Sequence, residues 1–323
     1  MADDSLLTLA DIEAARARIG PYVRRTPVLT SDVLDAAAGA KLYFKCENLQ
    51  HIGAFKARGA TNAVFSLSDA EAAKGVATHS SGNHGSAVAR AAGLRGIPAF
   101  IVMPKGAARP KAQQVERLGG RITYCENTQA AREAMTAKII AETGATLVHP
   151  YDNRKVMAGQ GTAALELMED APPLDIVLCP IGGGGLISGS ATAVKAISPT
   201  TRFIGAEPAG ADDAARSYAA HRLIPLTEVH TIADGLRASL SPDTFAHIEA
   251  RVDAIVTVSE AAIVGAMRAL WEALKIVVEP SSAVPYAAIR EGRVEVAGKA
   301  VGVILTGGNV DLDKLPWLSE GTR

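Results

Sequence analysis

The chain has 323 residues, a formal net charge of -1 and 48% hydrophobic residues, enough to bury a large core and more than a single core usually spans, so two lobes are expected. Near-neutral charge with only 4% aromatic residues excludes the basic, base-stacking surface of a nucleic-acid binder and the cationic face of a membrane-surface protein. No signal-peptide pattern opens the chain, no run reaches the ~20 apolar residues of a membrane helix, and Cys46, Cys125 and Cys179 are far apart, so a soluble cytoplasmic protein with buried free thiols is expected.

Short apolar runs at 41–46, 75–79, 99–103, 175–179, 202–206 and 300–305 predict buried strands. Amphipathic stretches at 87–96, 110–118, 130–143, 158–168 and 260–274 predict helices between them. Strand and helix in alternation give an α/β fold with mostly parallel sheets covered on both faces. No repeat or Pro-rich linker divides the chain, so its two lobes are expected to be intertwined. In such folds ligands sit beyond the carboxyl ends of strands, where glycine-rich turns lead into helices.

Four turns fit that description. In His51-Ile-Gly-Ala-Phe-Lys56-Ala-Arg-Gly59, a lysine follows an aromatic residue where a helix begins. It reads either as a solvated surface lysine or as an amine whose charge partial burial near a helix start disfavours. In His79-Ser80-Ser81-Gly82-Asn83-His84-Gly85, small residues let backbone N–H groups converge on an anion, beyond what an N-cap needs. The tetraglycine Gly182-Gly183-Gly184-Gly185, followed by Leu186, predicts close backbone approach to a phosphate. It is no dinucleotide fingerprint, since Ile187 and Ser188 stand where the last glycine is required. The fourth turn, Thr306-Gly307-Gly308-Asn309, offers a hydroxyl at a strand end. Two further turns stand apart: Glu279 opens a helix at Glu-Pro-Ser-Ser, and Glu207, Asp212 and Asp213 cluster after a strand. For the latter, spacing alone favours helix caps over an oxygen-rich cation site.

In this order, GAFK, SSGNHG, the tetraglycine, EPSS and TGGN resemble the fold-type II pyridoxal-phosphate enzymes, the tryptophan synthase β-like fold, and most nearly the serine/threonine dehydratase and serine racemase group. The resemblance extends from Arg25-Thr-Pro27 to Asn309-Val-Asp-Leu312. It implies two intertwined α/β domains, 1–72 with 153–323 as the large cofactor domain and 73–152 as the small substrate-side domain, and a homodimer. It implies that Lys56 forms the internal aldimine with pyridoxal 5'-phosphate, that Phe55 packs beside the cofactor, and that Asn83 meets the phenolic oxygen. Gly182, Gly183, Gly184, Gly185 and the Leu186 amide hold the phosphate, and Thr306 meets the pyridine nitrogen. Ser80, Ser81 and His84 grip the substrate carboxylate, and Ser81 matches the second acid/base of racemases.

The resemblance also gives Glu207, the Ala211 carbonyl and Asp213 as ligands of a divalent cation, Mg²⁺, Mn²⁺ or Ca²⁺. It implies dehydration of a small β-hydroxy amino acid to a 2-oxo acid and ammonia, serine or threonine first, 3-hydroxyaspartate next and racemisation third. Arg132 matches an arginine that would contact a distal carboxylate; read alone it is a solvated helix arginine. Ile52 replaces the usual threonine of the lysine turn, an exchange also found in the dehydratases of 3-hydroxyaspartate. Asp32, His51, Ile52 and Ser86 replace the nucleotide-binding residues of mammalian-type racemases, so no nucleotide activation is expected. Since the chain ends soon after Trp317, no C-terminal regulatory domain is expected either.

Overall fold

A computed structural model describes residues 6–80, 82–107 and 109–318. Its strands are β1 (Val28–Leu29), β2 (Lys41–Cys46), β3 (Val76–His79), β4 (Ala99–Pro104), β5 (Arg121–Cys125), β6 (Thr146–Leu147), β7 (Ile176–Pro180), β8 (Arg202–Pro208), β9 (Ala254–Val258) and β10 (Ala300–Leu305). The helices are α1 (Leu9–Ile19), α2 (Asp32–Ala38), α3 (Lys56–Phe65), α4 (Asp69–Ala73), α5 (Asn83–Arg95), α6 (Arg109–Arg117) and α7 (Gln129–Thr143). They continue with α8 (Arg154–Asp170), α9 (Gly185–Ile197), α10 (Asp213–Ala220), α11 (Pro242–Arg251), α12 (Glu260–Leu274) and α13 (Pro280–Arg290).

Two sheets result, a six-stranded one in the order β1-β2-β10-β7-β8-β9 and a four-stranded one in the order β5-β4-β3-β6. Every pairing is parallel except β1 with β2. The central strands are apolar throughout because helices cover both faces; on β7, Ile176 and Leu178 enter one core while Val177 and Cys179 enter the other. The four strands absent from the apolar pattern, β1, β5, β6 and β9, are the four sheet edges. Their residues are mostly only partly buried, and apart from Ala254–Val256 of β9 no run of three apolar residues marks them. All three cysteines are free and buried. No described helix is long and apolar enough to cross a membrane.

Helix α8 is the common support of the helices that begin at the lysine and tetraglycine turns. Against α3 the contact is glycine on glycine: a Cβ at Gly159 would lie 2.7 Å from the Gly59 Cα. Against α9 a Cβ at Gly189 would lie 2.1 Å from the Met157 carbonyl oxygen, so only glycine permits this approach. The helix 158–168 expected from periodicity starts earlier, at Arg154, because the Asn153 side chain accepts the Val156 N–H and caps it.

The same helices are joined by buried ions. Arg58 and Lys45 are fully buried, as is Glu47, and Glu166 is nearly so. The Arg58 guanidinium donates to Glu47 at 2.7 and 2.8 Å and to both Glu166 oxygens at 2.7 Å, while Lys45 Nζ donates to Glu166 at 2.7 Å. Burial opposes the Arg58 charge, but Glu47 and Glu166 hold it above its ordinary range. Two cations and two carboxylates cancel, and removing one partner leaves an uncompensated buried charge. Glu166→Gln is therefore expected to cost about 3–5 kcal/mol, read as a lower denaturant midpoint at unchanged slope. A midpoint within error of the parent would show that the cluster does not brace the fold.

Candidate functional site

The lysine turn is held against the Thr306–Asn309 turn by backbone. Ala54 and Gly307 form an isolated antiparallel bridge, Phe55 N–H donates to the Thr306 carbonyl at 3.0 Å, and Gly308 N–H donates to the Gly53 carbonyl at 2.9 Å. This places Lys56 at the first position of α3, partly buried, with Nζ donating to the Pro150 carbonyl at 2.8 Å and lying 5.0 Å from the Phe55 ring centroid. Burial pushes its pKa down to about 8, against the attraction of Glu279. A surface lysine does not behave this way.

Glu279 begins α13 without capping it. Its buried carboxylate instead accepts from Asn83 Nδ2 at 3.1 and 3.2 Å and from Asn309 N–H at 3.3 Å. Burial, then the Asp234 charge, pushes its pKa up to about 7. Asn309 Nδ2 donates to Asn83 Oδ1 and to the Ile52 carbonyl, both at 2.8 Å. The GAFK, SSGNHG, EPSS and TGGN turns thus meet in one network, although they lie far apart in the chain. Thr306 is buried, and its Oγ1 is 3.1 Å from Ser282 Oγ, a neutral hydroxyl pair.

The tetraglycine lies between β7 and α9. Cβ atoms at Gly183 and Gly185 would strike Tyr151 at 2.3 and 2.9 Å, one at Gly182 would lie 3.0 Å from the Gly235 carbonyl oxygen, and Gly184 has φ of +90°. No side chain caps α9, whose first N–H groups and dipole are left for an anion. A phosphate fits this cradle, with the Gly182–Leu186 backbone as its donors.

Ser80 Oγ accepts the Gly82 N–H at 3.2 Å, and Ser81 lies outside the described residues. Buried His84 donates from Nε2 to the Val148 carbonyl at 2.9 Å, while Nδ1 has no partner among the described residues. Burial, then Lys56, hold its pKa well below the ordinary value, so it is neutral. Arg132, half-buried in the first turn of α7, is near enough for its charge to lower the pKa of His79, whose main depression comes from burial.

Several residues here were not singled out from the sequence. His149 Nδ1 accepts the Asp152 N–H at 2.9 Å, and its ring meets His79 and Tyr151 edge-on, with centroids 5.7 and 4.7 Å away. Burial, then His79, push its pKa down to about 4. Tyr151 joins it, and the sequence marks Ser282 and Asn309 only as members of their turns, with no role of their own. Their only local signal is proximity to a glycine or proline turn.

Glu207 and Asp213 are both buried. Glu207 Oε1 accepts the Ala215 N–H in the first turn of α10 at 2.7 Å, Asp213 accepts the Leu240 N–H at 3.1 Å, and Asp212, the N-cap of α10, makes no side-chain cap. Burial raises both, Glu207 well above the usual carboxylate range and Asp213 to about 6, and Asp212 repels each. Among the described residues no three His, Cys, Asp or Glu side chains cluster as a metal site would. Two buried carboxylates, Glu207 and Asp213, and the buried Ala211 remain.

The pattern of a family described as pyridoxal-phosphate dependent enzyme matches residues 19–307. A beta-hydroxyaspartate dehydratase of Paracoccus denitrificans (strain Pd 1222) is 55% identical over 310 residues, 96% of this chain and 98% of the relative. A serine racemase of Oryza sativa subsp. indica is 50% identical over 309 residues, 94% and 91% of the two chains. The solved structure of maize serine racemase superposes with a TM-score of 0.93 at 48% identity, covering 95% of this chain and 94% of that one.

In cofactor-free protein, modification of Lys56 by an amine-selective acylating reagent is expected to be half-maximal near pH 8 rather than at the 10.5 of an ordinary lysine. Because the Glu279 carboxylate favours the ammonium, Glu279→Gln should move that midpoint lower still. A midpoint near that of a free lysine, read by peptide mass mapping across pH, would remove the primed amine from the site.

Proposed function

We propose, given that the chain belongs to the family of pyridoxal-phosphate-dependent enzymes, that it is a carbon–oxygen lyase acting on a small β-hydroxy amino acid, with 3-hydroxyaspartate its preferred substrate. The observation that carries the reading is the Lys56 amine, depressed to about 8 and held on the Pro150 carbonyl, in a chain that also presents an uncapped glycine cradle. The resemblance alone puts serine or threonine first. The 55% identical relative, a beta-hydroxyaspartate dehydratase, moves the dicarboxylate ahead.

Bound pyridoxal phosphate supplies an electrophilic carbon for the substrate amine and a ring that withdraws electrons from Cα. The backbone of Gly182–Leu186 would hold the phosphate, Asn83 the phenolic oxygen, and Thr306, backed by Ser282, the ring nitrogen. A hydroxyl there cannot give the ring a full proton as a carboxylate would, which favours prompt elimination over transamination. The turn at Ser80, Ser81 and His84 would receive the α-carboxylate. Lys56, neutral in an appreciable fraction at pH 7, takes the Cα proton as general base. The hydroxyl leaves Cβ as water, and hydrolysis returns that water, so the net products are a 2-oxo acid and ammonia. Residues 1–72 and 153–323 would carry the cofactor and 73–152 the substrate side, in a homodimer.

We also assign a divalent cation to Glu207, the Ala211 carbonyl and Asp213. Hard oxygen donors suit Mg²⁺, Mn²⁺ or Ca²⁺, and a cation would relieve two buried carboxylates that burial drives toward protonation. Chelator-treated protein is then expected to melt lower and to recover on adding one of these ions, whereas a melting curve indifferent to all three would remove the metal.

The substrate assignment is tested with L-serine, D-serine, L-threonine and both 3-hydroxyaspartate diastereomers, following 2-oxo acid and enantiomer together. One 3-hydroxyaspartate should give the highest kcat/KM for oxo-acid release. Inversion of serine without oxo acid would establish a racemase instead. Arg132→Gln should lower kcat/KM for 3-hydroxyaspartate roughly 10- to 100-fold while serine turnover changes little. Equal losses on both substrates would show that Arg132 reads no distal carboxylate.

A further inference from the structure

Residues 148–152 lead from β6, the last strand of the four-stranded sheet in chain order, to the start of α8. On the way they touch three of the turns that make the site. Val148 N–H donates to the Ala77 carbonyl on β3 at 2.9 Å, and the Val148 carbonyl accepts from His84 of the SSGNHG turn at 2.9 Å. Two residues on, the Pro150 carbonyl accepts from Lys56 Nζ at 2.8 Å. The Tyr151 ring then lies against Gly183 of the cradle.

One side chain closes this turn. His149 Nδ1 accepts the Asp152 N–H at 2.9 Å, three residues along, as an Asn side chain does when it caps a turn. Asp152 is anchored in its own right, since its carboxylate accepts from Ser241 Oγ, at the N-cap of α11, at 2.7 Å. Accepting at Nδ1 places the ring proton of His149 on Nε2. His79 and Tyr151 pack edge-on against the ring. Burial, His79 and Lys56 hold its pKa at about 4 against the pull of Asp152 and Glu133, so Nδ1 remains an acceptor at neutral pH. Pro150 has no N–H and a fixed φ, so the direction of its carbonyl is set by how the turn is closed around it.

On the reading of Lys56 as the general base, we propose that His149 is a positioning residue: by closing the 149–152 turn at Nδ1 it fixes the Pro150 carbonyl as the seat of the lysine amine. A neutral amine gives the carbonyl one N–H and so has its lone pair oriented. Once Lys56 has taken the Cα proton, the ammonium donates to the same oxygen in a charge-assisted and stronger bond. The proton passes from carbon to nitrogen, and no bond to His149 forms or breaks, so His149 acts without touching substrate. A carbonyl acceptor favours ammonium over amine, and displacing it therefore lowers the pKa of Lys56.

The test exploits the two ring nitrogens. Asn places its Oδ1 where Nδ1 stands, Gln carries its oxygen out to the position of Nε2, and Phe keeps the ring without an acceptor. In full-length cofactor-free protein, the Lys56 acylation midpoint should fall about 0.5–1 pH unit below the parent's in His149→Gln and His149→Phe, and stay at the parent's in His149→Asn. In cofactor-loaded enzyme the acidic limb of kcat should move the same way, with kcat roughly 10-fold lower in the Gln and Phe variants and KM little changed. His149→Gln carries the test if His149→Phe folds poorly. Equal midpoints in all four proteins, or a midpoint restored by Gln as well as by Asn, would overturn the assignment. So would weaker cofactor binding at an unmoved midpoint, which would leave His149 supporting Tyr151 on the cradle and nothing more. Borohydride reduction of the loaded parent, mapped by peptide mass, separates the two levels. No cofactor fixed on Lys56 would remove the base and the positioned step together, whereas cofactor on Lys56 with unmoved midpoints would remove the role of His149 alone.

Discussion

The fully buried Arg58 guanidinium is the constraint on which the site rests. It is two residues from Lys56 on the same helix, and it is fixed at once by Glu47, from the turn after β2, and by Glu166 on α8. Charges so placed tolerate little displacement, because every lost contact exposes an ion to a medium that cannot solvate it. Helix α3 therefore has one position relative to α8 and β2. Glycine contacts add the short-range half of the same restraint, letting α8 lie against α3 on one side and α9 on the other. The amine and the phosphate cradle are thereby referred to one rigid helix.

What surrounds Lys56 follows from that placement. The segment before it cannot leave, since Gly53, Ala54 and Phe55 are paired with the Thr306–Gly308 turn. Burial then works on both signs of charge: Lys56 falls to about 8 while Glu279 rises to about 7. An amine able to be neutral near physiological pH is what a Schiff-base lysine and general base needs. Asn83 and Asn309 keep the Glu279 carboxylate in hydrogen bonds, so the acid is held without a full counter-ion in contact. His84 and His149, neutral in the same low-dielectric surroundings, add hydrogen-bonding groups without adding charge.

Elements buried on both faces were legible from their residues, since a strand such as β7 must be apolar at every position to lie between two helical layers. The edge strands were not, because β5, with Arg121 and Tyr124 turned toward solvent, has no such requirement. Helix α5 begins at Asn83 rather than at the first apolar residue, since a turn of Ser, Gly and Asn leads into it. The site divides in the same way. Lys56, the tetraglycine and Thr306 lie in turns whose composition is unusual enough to notice. His149, Ser282 and Asn309 look locally like ordinary polar residues near turns, and their importance arises only from what the fold brings beside them.

The glycine-rich turns and the apolar runs between them determined the α/β architecture and a phosphate-bearing ligand, because backbone approach to a phosphate and burial of a parallel sheet both leave compositional traces, whereas the cofactor class came from the resemblance those turns carry in their order. Whether Lys56 was a surface residue or a primed amine lay beyond composition. Its charge state depends on burial, on the Pro150 carbonyl 94 residues away in the chain, and on Glu279, and those distances exist only once the chain is folded.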